Sequence, residues 1–573
     1  MMPLAQCSVE ARTPWPFSRL LLLTSVALAT CVTSPSSAQI PTPAGSPAAA
    51  QTPATTPAPP TDQTTVQGPP TLRLTGFTFT ASADLSETYT SNAYGVGGSG
   101  GTYNQSDLVT SAGLSLAAHN HTLRFDGDMD LRLVGSYYAN NPSFSNVYTY
   151  LNAVALAEII PEHLQLQGTA FAQPILINNL GPLGANGRPV AAGPNSGLRD
   201  MYGYTVTPTF AFRLGDFATS TTTATQSSVF FVEPDVPSAA TIPGLEVPTQ
   251  SLSYGASQRI ASGPDFFRLN WGLTGAWNFT ELSQNLDLTS ASATGDIKYA
   301  LSREVVLLAT LGYESITSNQ PLSEDLVGPI YLGGLQLTLG PDFQMTAMAG
   351  QQFNSPSYIG NLTYRAGPFT TFTTSVTDTV TTPTGRLFDR SAQLGVNGQG
   401  NFIDTGYSVN PAIPGPVGSP VTGFDPLPID GVGITNTIQR YRSVTSSLTY
   451  TSERTQYRLT GFATLYDTLT VLPTGFPSTG RSRGGDFAVF RTMTPQLTGG
   501  FDLWYAIDDT LGGQYKLFRG TVNAEYSFSP RTSVFLTGAY IARTADDALV
   551  AVSPSSADTS DTSVTIGIRR TLY

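Results

Sequence analysis

One long run of alternating residues constrains the fold of this chain more than any other feature of its sequence. From Leu123 to Tyr137, over 15 residues, every second position is apolar, aromatic or glycine. The charged positions between them are Arg124, Asp126, Asp128, Asp130 and Arg132. Neighbouring side chains of a β-strand point to opposite faces, so the run predicts a strand with one apolar and one charged face. Soluble strands average about 5–6 residues, whereas a tilted strand crosses a bilayer in about 9–11, so this strand is long enough to span a membrane.

The same alternation recurs along the chain. It is clear from Phe267 to Phe279 and again from Phe518 to Phe528. Only 12% of the residues are charged, and the 55 glycines and 25 tyrosines suit twisted strands bordered by aromatic residues. Beyond the N-terminal segment no stretch is apolar enough for a membrane-spanning helix, and a closed barrel is the other structure that satisfies the backbone in lipid. The pattern predicts an all-β protein, a transmembrane antiparallel β-barrel.

The segments between the alternating stretches fall into two classes of length. Ten short turns, such as those near Gly215 and Gly340, alternate with eleven mostly longer loops rich in Gly, Asn and Pro. Bacterial outer-membrane barrels have this asymmetry, with short periplasmic turns and long extracellular loops. Ten turns and eleven loops join about 22 strands in up-and-down order, with an expected range of about 18 to 24.

The N-terminus is typical of a secretory signal peptide. Arg12 and Arg19 precede the apolar stretch Leu20–Val32, whose 13 residues are too few for a membrane helix. An acylation site at Cys31 is the rival interpretation. The two cysteines, Cys7 and Cys31, both lie within the predicted signal, so we expect no disulfide and no cysteine metal site in the mature protein.

Composition divides the chain into three parts. The segment after the predicted signal is rich in Pro, Ala, Thr and Gln, which favours a disordered linker, and strand-like alternation begins soon after it. We predict a signal peptide at 1–38, a disordered linker at 39–70 and an outer-membrane β-barrel at 71–573, whose longest loop is 381–439.

Six short segments, taken in their order along the chain, carry a resemblance to a known family. They are Glu87–Asn92, Ile160–Leu164, Tyr204–Pro208, Leu311–Glu314, Gly340–Phe343 and Thr374–Val380. Over 72–573 the chain resembles the porin-like outer-membrane β-barrel proteins associated with PEP-CTERM/exosortase and exopolysaccharide gene clusters. The resemblance implies an outer-membrane barrel of a Gram-negative bacterium with no established catalytic residue.

Charged strand residues are expected to face the lumen, because a charge on the lipid face costs about 2–4 kcal/mol at mid-membrane. The candidates are Arg124, Asp126, Asp128, Asp130, Arg132, Arg519 and Glu525. Two interpretations stay open. The charges form a polar stripe that selects solutes, or they form structural ion pairs with neighbouring strands, since aspartates at every second position repel unless cations lie opposite.

Motifs that carry chemistry are scarce. The glycine-rich segment 95–101 matches nucleotide-binding and nucleophile patterns, but both need a helix after it and here a loop follows. The three histidines, His119, His121 and His163, are expected in short periplasmic turns. His119 and His121 could chelate a metal, yet no third ligand at a recognisable spacing accompanies them. We expect no enzyme, no cofactor and no metal, and the net charge of −12 disfavours nucleic acid as a partner.

These observations favour a porin-like channel, linked by the resemblance to exopolysaccharide or envelope export. The expected partners are outer-membrane lipid, the barrel-assembly machinery, and polysaccharide or small solutes. The loop 381–439 is the candidate plug, because no other loop is long enough to reach deep into the lumen. A TonB-dependent transporter is disfavoured by the short segment before the first strand. A non-conducting structural or surface-recognition barrel is the alternative.

Overall fold

The computed structural model describes residues 72–74, 76–93, 106–176, 198–232, 249–282, 286–324, 326–386, 394–396, 402–404, 437–470, 479–510, 513–546 and 558–572. The predicted signal peptide at 1–38, the predicted linker at 39–70 and the glycine-rich segment 95–101 lie outside these residues. Among the described residues, no helix is long and apolar enough to cross a membrane.

The described chain is almost entirely β-structure. The strands are β1 (Leu72–Leu74), β2 (Phe77–Thr90), β3 (Asp107–His121), β4 (Phe125–Tyr138), β5 (Asn146–Ile160), β6 (Leu164–Leu176), β7 (Leu198–Leu214), β8 (Ala218–Val232), β9 (Gln250–Ser262), β10 (Leu269–Leu282), β11 (Leu286–Ala300), β12 (Val305–Ser318), β13 (Val327–Leu339), β14 (Phe343–Gln352), β15 (Ser355–Arg365), β16 (Thr370–Thr381), β17 (Leu394–Val396), β18 (Phe402–Asp404), β19 (Gln439–Thr451), β20 (Thr455–Thr468), β21 (Thr479–Thr492), β22 (Leu497–Thr510), β23 (Gly513–Ser529), β24 (Thr532–Ala545) and β25 (Thr559–Thr571).

The long strands form one closed antiparallel barrel. Each pairs with its neighbour in the chain, β16 pairs with β19, and β2 pairs with β25 to close the sheet. Strands β2–β16 and β19–β25 therefore make a barrel of 22 strands, which confirms the predicted fold class. The short strand β1 pairs with β2. Strands β17 and β18 form a separate small hairpin.

The connections at the two ends of the barrel differ in length, as predicted. At one end, here called the short-turn end, turns of a few residues join alternate pairs of strands. These pairs are β3–β4, β5–β6, β7–β8, β9–β10, β11–β12, β13–β14, β15–β16, β19–β20, β21–β22 and β23–β24. Gly215, Gly340 and Gly367 have φ of 59°, 70° and 91° in these turns, a backbone conformation that favours glycine. The other end, here the long-loop end, carries the loops, including the connection from β16 to β19.

Each barrel strand has two distinct faces. On β12, Leu307, Leu311 and Tyr313 are 45%, 58% and 55% exposed, whereas Thr310 and Glu314, on the opposite face of the strand, are only 5% and 4% exposed. The same alternation marks the other barrel strands, with exposed Leu, Tyr, Phe and Val on one side and buried polar residues on the other. We call these the apolar face and the polar face.

The barrel wall is lowest at β14 and β15, which have 10 and 11 residues. Phe353 and Asn354 form the tight turn between them, and both have positive φ. Phe353 also belongs to a buried apolar cluster, here the rim cluster, that joins strand ends on both sides of this hairpin. Its members are Leu282, Leu286, Leu288, Ile316, Leu326, Phe353, Val380, Ile438 and Leu469.

A backbone contact spans the same part of the rim. Leu322, after β12, pairs with Thr470, after β20, although six inter-strand steps separate those strands in the barrel. The Ser323 amide donates to the Leu469 carbonyl at 2.6 Å, and the Leu469 amide donates to the Ile438 carbonyl at 2.8 Å. The loop after β12 is therefore folded over the low wall rather than extended away from it.

Candidate functional site: the polar face and the long-loop opening

The alternating charged run at 123–137 lies mostly in strand β4, and its charged residues differ in their surroundings. Arg124 lies in the turn before β4, where its carbonyl accepts from the Glu158 amide at 2.8 Å. Asp126, Asp128 and Asp130 are half-buried on the polar face of β4. Arg132, on the same face, is only 6% exposed.

Arg132 is paired with a residue two strands away. Its Nη2 donates to Oδ2 of Asp84, on β2, at 3.1 Å, and both side chains are buried. Gly113 on β3 lies between them: a Cβ there would lie 2.5 Å from Oδ1 of Asp84. The absence of a side chain on Gly113 therefore gives the Asp84 carboxylate room to reach across β3.

A second pair repeats this arrangement elsewhere in the wall. Arg259 on β9 donates through Nη1 to Oδ2 of Asp296 on β11 at 3.0 Å. Gly272 on the intervening β10 leaves the space, since a Cβ there would lie 2.8 Å from Arg259 Nη2. Thr274 and Thr310 complete the network, accepting from Arg259 at 2.9 Å and donating to Asp296 at 3.0 Å.

Two of the residues singled out in the sequence take part in further ion pairs. Arg519 donates to Asp502 at 3.4 Å, and its guanidinium lies 5.8 Å from the Trp504 ring centroid. Glu525 accepts from Arg569 at 3.2 Å, with the Arg569 guanidinium 5.2 Å from the Phe535 ring.

With Arg458 and Asp486, whose side chains approach to 3.2 Å, five arginine–carboxylate ion pairs lie on the polar face of the described strands. Asp84, Asp502 and Arg569 were not singled out in the sequence, although the parity of their strands places them on the polar face. Of the two interpretations left open, the contacts agree with structural ion pairing of Arg132, Arg519 and Glu525.

The role of Gly113 can be tested by adding one methyl group. Replacing Gly113 with Ala should lower the free energy of unfolding by about 1–3 kcal/mol, because the Cβ displaces the buried Asp84 carboxylate. The control is Gly135→Ala on β4, where the nearest atom to a new Cβ is 3.9 Å away and the change should stay within about 0.5 kcal/mol. Urea unfolding in detergent micelles measures both. Equal stability of the two variants would contradict the proposed role of Gly113.

The histidines are placed differently from the prediction. His119 and His121 lie within β3, not in a turn, while His163 lies in the β5–β6 turn. His119 is in register with Asp128, and His121 with Asp126, across the β3–β4 hairpin. His119 Nδ1 lies 2.6 Å from Asp128 Oδ1, and His121 Nδ1 is hydrogen-bonded to Asp126. The sequence analysis named no cation opposite these aspartates. In the structure, His119 and His121 lie opposite Asp128 and Asp126, and their imidazoles are cations when protonated.

The small hairpin of β17 and β18 belongs to the longest loop, and β17 lies against β4 and β5. Strand β5 is eleven strands from β16 in either direction around the barrel. At about 4.8 Å between strands and a tilt of about 40°, that path along the wall is about 70 Å. Leu394 is 13 residues after Thr381, a reach of at most about 47 Å. The straight distance from β16 to the hairpin is therefore shorter than the path along the wall.

The two ends of the same loop are held at the barrel wall. Thr382 and Thr384 are buried directly after β16, and Ile438 is buried directly before β19. At the start of β19, Arg440 is hydrogen-bonded to Asp378 through Nε at 2.8 Å, and its guanidinium lies 5.4 Å from the Phe353 ring. The loop is thus anchored at the rim cluster.

Comparisons with known proteins assign no family to the chain. No protein-family model matches the chain, and no curated protein matches its sequence. Among solved structures, the FrpB iron transporter from Neisseria meningitidis aligns with 8% identity and a TM-score of 0.43, over 86% of this chain and 81% of that one.

Two siderophore receptors are similar at the same level. PirA from Acinetobacter baumannii has 8% identity and a TM-score of 0.40, and PirA from Pseudomonas aeruginosa has 9% identity and a TM-score of 0.37. Each alignment covers 86% of this chain and 80% of the other. Likeness at this level has no bearing on what this chain binds or transports.

Proposed function

We propose that this protein is an outer-membrane β-barrel whose polar face lines an aqueous lumen, and that it is a porin-like channel for small polar solutes. The observation that carries the proposal is the separation of the two faces around a closed barrel of 22 strands. Exposed Leu, Tyr, Phe and Val suit contact with lipid, while a charge on that side would cost about 2–4 kcal/mol at mid-membrane. The five ion pairs lie on the opposite face.

On this proposal, the predicted lumen residues have two roles. Arg132, Arg519 and Glu525 are structural, since their charges are compensated by neighbours on adjacent or next-but-one strands. Asp126, Asp128 and Asp130 are more accessible and would contribute negative charge to the lumen near the short-turn end. Arg124 lies in the turn that borders this end. The link to exopolysaccharide or envelope export rests on the resemblance of the six sequence segments alone.

A specific observation favours the second candidate function, a non-conducting structural or surface-recognition barrel. The hairpin of β17 and β18 lies against β4 and β5, eleven strands from β16, and the loop after β12 is folded over the rim. A 22-strand barrel otherwise encloses a wide lumen. If the protein is a channel, these segments narrow its lumen. If it is a non-conducting barrel, they seal the lumen.

Single-channel recording separates the two candidates. The mature protein, which begins at Gln39 after the predicted signal peptide, is refolded, and heat-modifiable gel migration shows that it has folded. It should give small, steady conductance steps in a planar bilayer, because loop segments occupy part of the opening. Cation preference is expected, since the accessible aspartates of β4 outnumber accessible cations there. A folded protein that never conducts would overturn the channel and favour the sealed barrel.

A further inference from the structure

The β3–β4 hairpin brings two imidazoles and two carboxylates together at the short-turn end. His119 and His121 are two residues apart on β3, and Asp126 and Asp128 are two residues apart on β4, so all four side chains share the polar face. Antiparallel pairing holds directly opposite Cα atoms about 4.5–5.5 Å apart, which fixes the bases of the four side chains. Only Thr122 to Arg124 separate the two strands.

The ligand atoms converge further than two separate ion pairs require. Asp128 Oδ1 lies 2.6 Å from His119 Nδ1 and also 3.7 Å from His121 Nε2, so one carboxylate faces both imidazoles. One ligand atom from each of His121, Asp126 and Asp128 lies within 4.8 Å of the others. Tetrahedral zinc with bonds of about 2.0–2.2 Å needs ligand atoms about 3.3–3.6 Å apart, so a shift of about an ångström brings these three atoms to the spacing of zinc ligands.

The surroundings permit that shift and an approach from solvent. The His121 and Asp126 side chains are 64% and 48% exposed, and those of His119 and Asp128 are 40% and 31% exposed. Exposed side chains at a strand end can change rotamer without disturbing a packed core. Imidazole with carboxylate is the ligand set that borderline divalent metals such as zinc, nickel and copper accept, whereas calcium and magnesium prefer oxygen alone.

We propose that His119, His121, Asp126 and Asp128 form a binding site for a divalent transition metal at the short-turn end of the barrel. The site does not depend on whether the barrel conducts. A bound ion would neutralise the repulsion between the two aspartates and would tie β3 to β4 beside their turn.

Zinc itself is the probe. The full-length mature protein, folded in detergent and freed of metal by chelator, is titrated with Zn²⁺ near neutral pH by calorimetry. We expect one saturable site per chain. His119→Gln combined with His121→Gln, and separately Asp126→Asn combined with Asp128→Asn, should each weaken binding by at least about tenfold.

The third histidine supplies a matched control. His163 lies at the same end, but its Nδ1 faces the Ala211 carbonyl at 3.1 Å and it is not a member of the His–Asp group, so His163→Gln should bind Zn²⁺ like the wild type. Heat-modifiable migration tests whether each variant is folded. The two double variants replace different ligands, so each tests the site separately. Absence of saturable binding to the wild type, or wild-type affinity in both paired variants, would overturn the site. So would loss of binding in His163→Gln alone.

Discussion

Deleting Gly385–Asp430 should increase single-channel conductance by about threefold or more, because it removes the hairpin of β17 and β18 from the opening while leaving the barrel intact. Strands β16 and β19 pair along their full lengths, from Thr370 with Tyr450 to Thr381 with Gln439, so a short connection can replace the deleted segment. Conductance is measured in planar bilayers at fixed salt, beside the wild-type protein.

The control for this deletion removes a different loop. Shortening the connection from β8 to β9 within residues 235–247 joins two adjacent strands and leaves the hairpin of β17 and β18 in place. That variant should conduct like the wild type. If the long deletion leaves conductance unchanged in a folded barrel, the loop 381–439 is not the plug, and the segments of the rim cluster become the constriction to test.

Replacing Arg132 with Met should lower the free energy of unfolding by about 3–5 kcal/mol, because it removes the cation that donates to the buried Asp84 carboxylate. The Asp84 and Arg132 side chains are only 2% and 7% exposed, so water does not compensate for the lost partner. Chemical unfolding in detergent or lipid, followed by tryptophan fluorescence, gives the difference. The double replacement, Asp84→Leu with Arg132→Met, should recover most of the stability, since a buried ion pair can be exchanged for apolar residues of similar volume.

An exposed pair on the same barrel provides the comparison. Arg442 and Asp467 also form an ion pair, but their side chains are 42% and 26% exposed. Asp467→Asn should therefore change stability by no more than about 1 kcal/mol. A cost for Arg132→Met as small as this one would mean that Asp84 is solvated in the lumen and that the pair is not structural.

The alternation of apolar and polar residues was sufficient to predict the barrel and its two faces, because side chains of a strand point to opposite faces with a period of two residues. The alternation of turns and loops was sufficient for the strand number. Neither pattern identifies which charges meet. Asp84 and Arg132 are 48 positions apart, and they meet because β3 places its glycine between them, which depends on the register of two hairpins.

The position of the β3–β4 turn determines the surroundings of His119 and His121. A turn near His119–His121 would have left both in solvent. In the structure the Thr122 hydroxyl donates to the Phe125 carbonyl at 2.9 Å and accepts from the Phe125 amide at 3.1 Å, so the turn closes after His121. A shift of this size lies within the usual uncertainty of boundaries read from sequence, yet it turns two solvated residues into partners of Asp126 and Asp128.

The seam between β2 and β25 sets the order of events during biogenesis. Thr88 and Thr565, 477 positions apart, share a hydrogen bond of 2.8 Å across it, and Thr90 donates to Asp561 at 2.8 Å. Strand β2 therefore has no partner on one edge until β25 has been synthesised and delivered. Until then that edge is a template for pairing with other chains. A truncated chain that ends before β25 should be cleared by proteolysis rather than inserted.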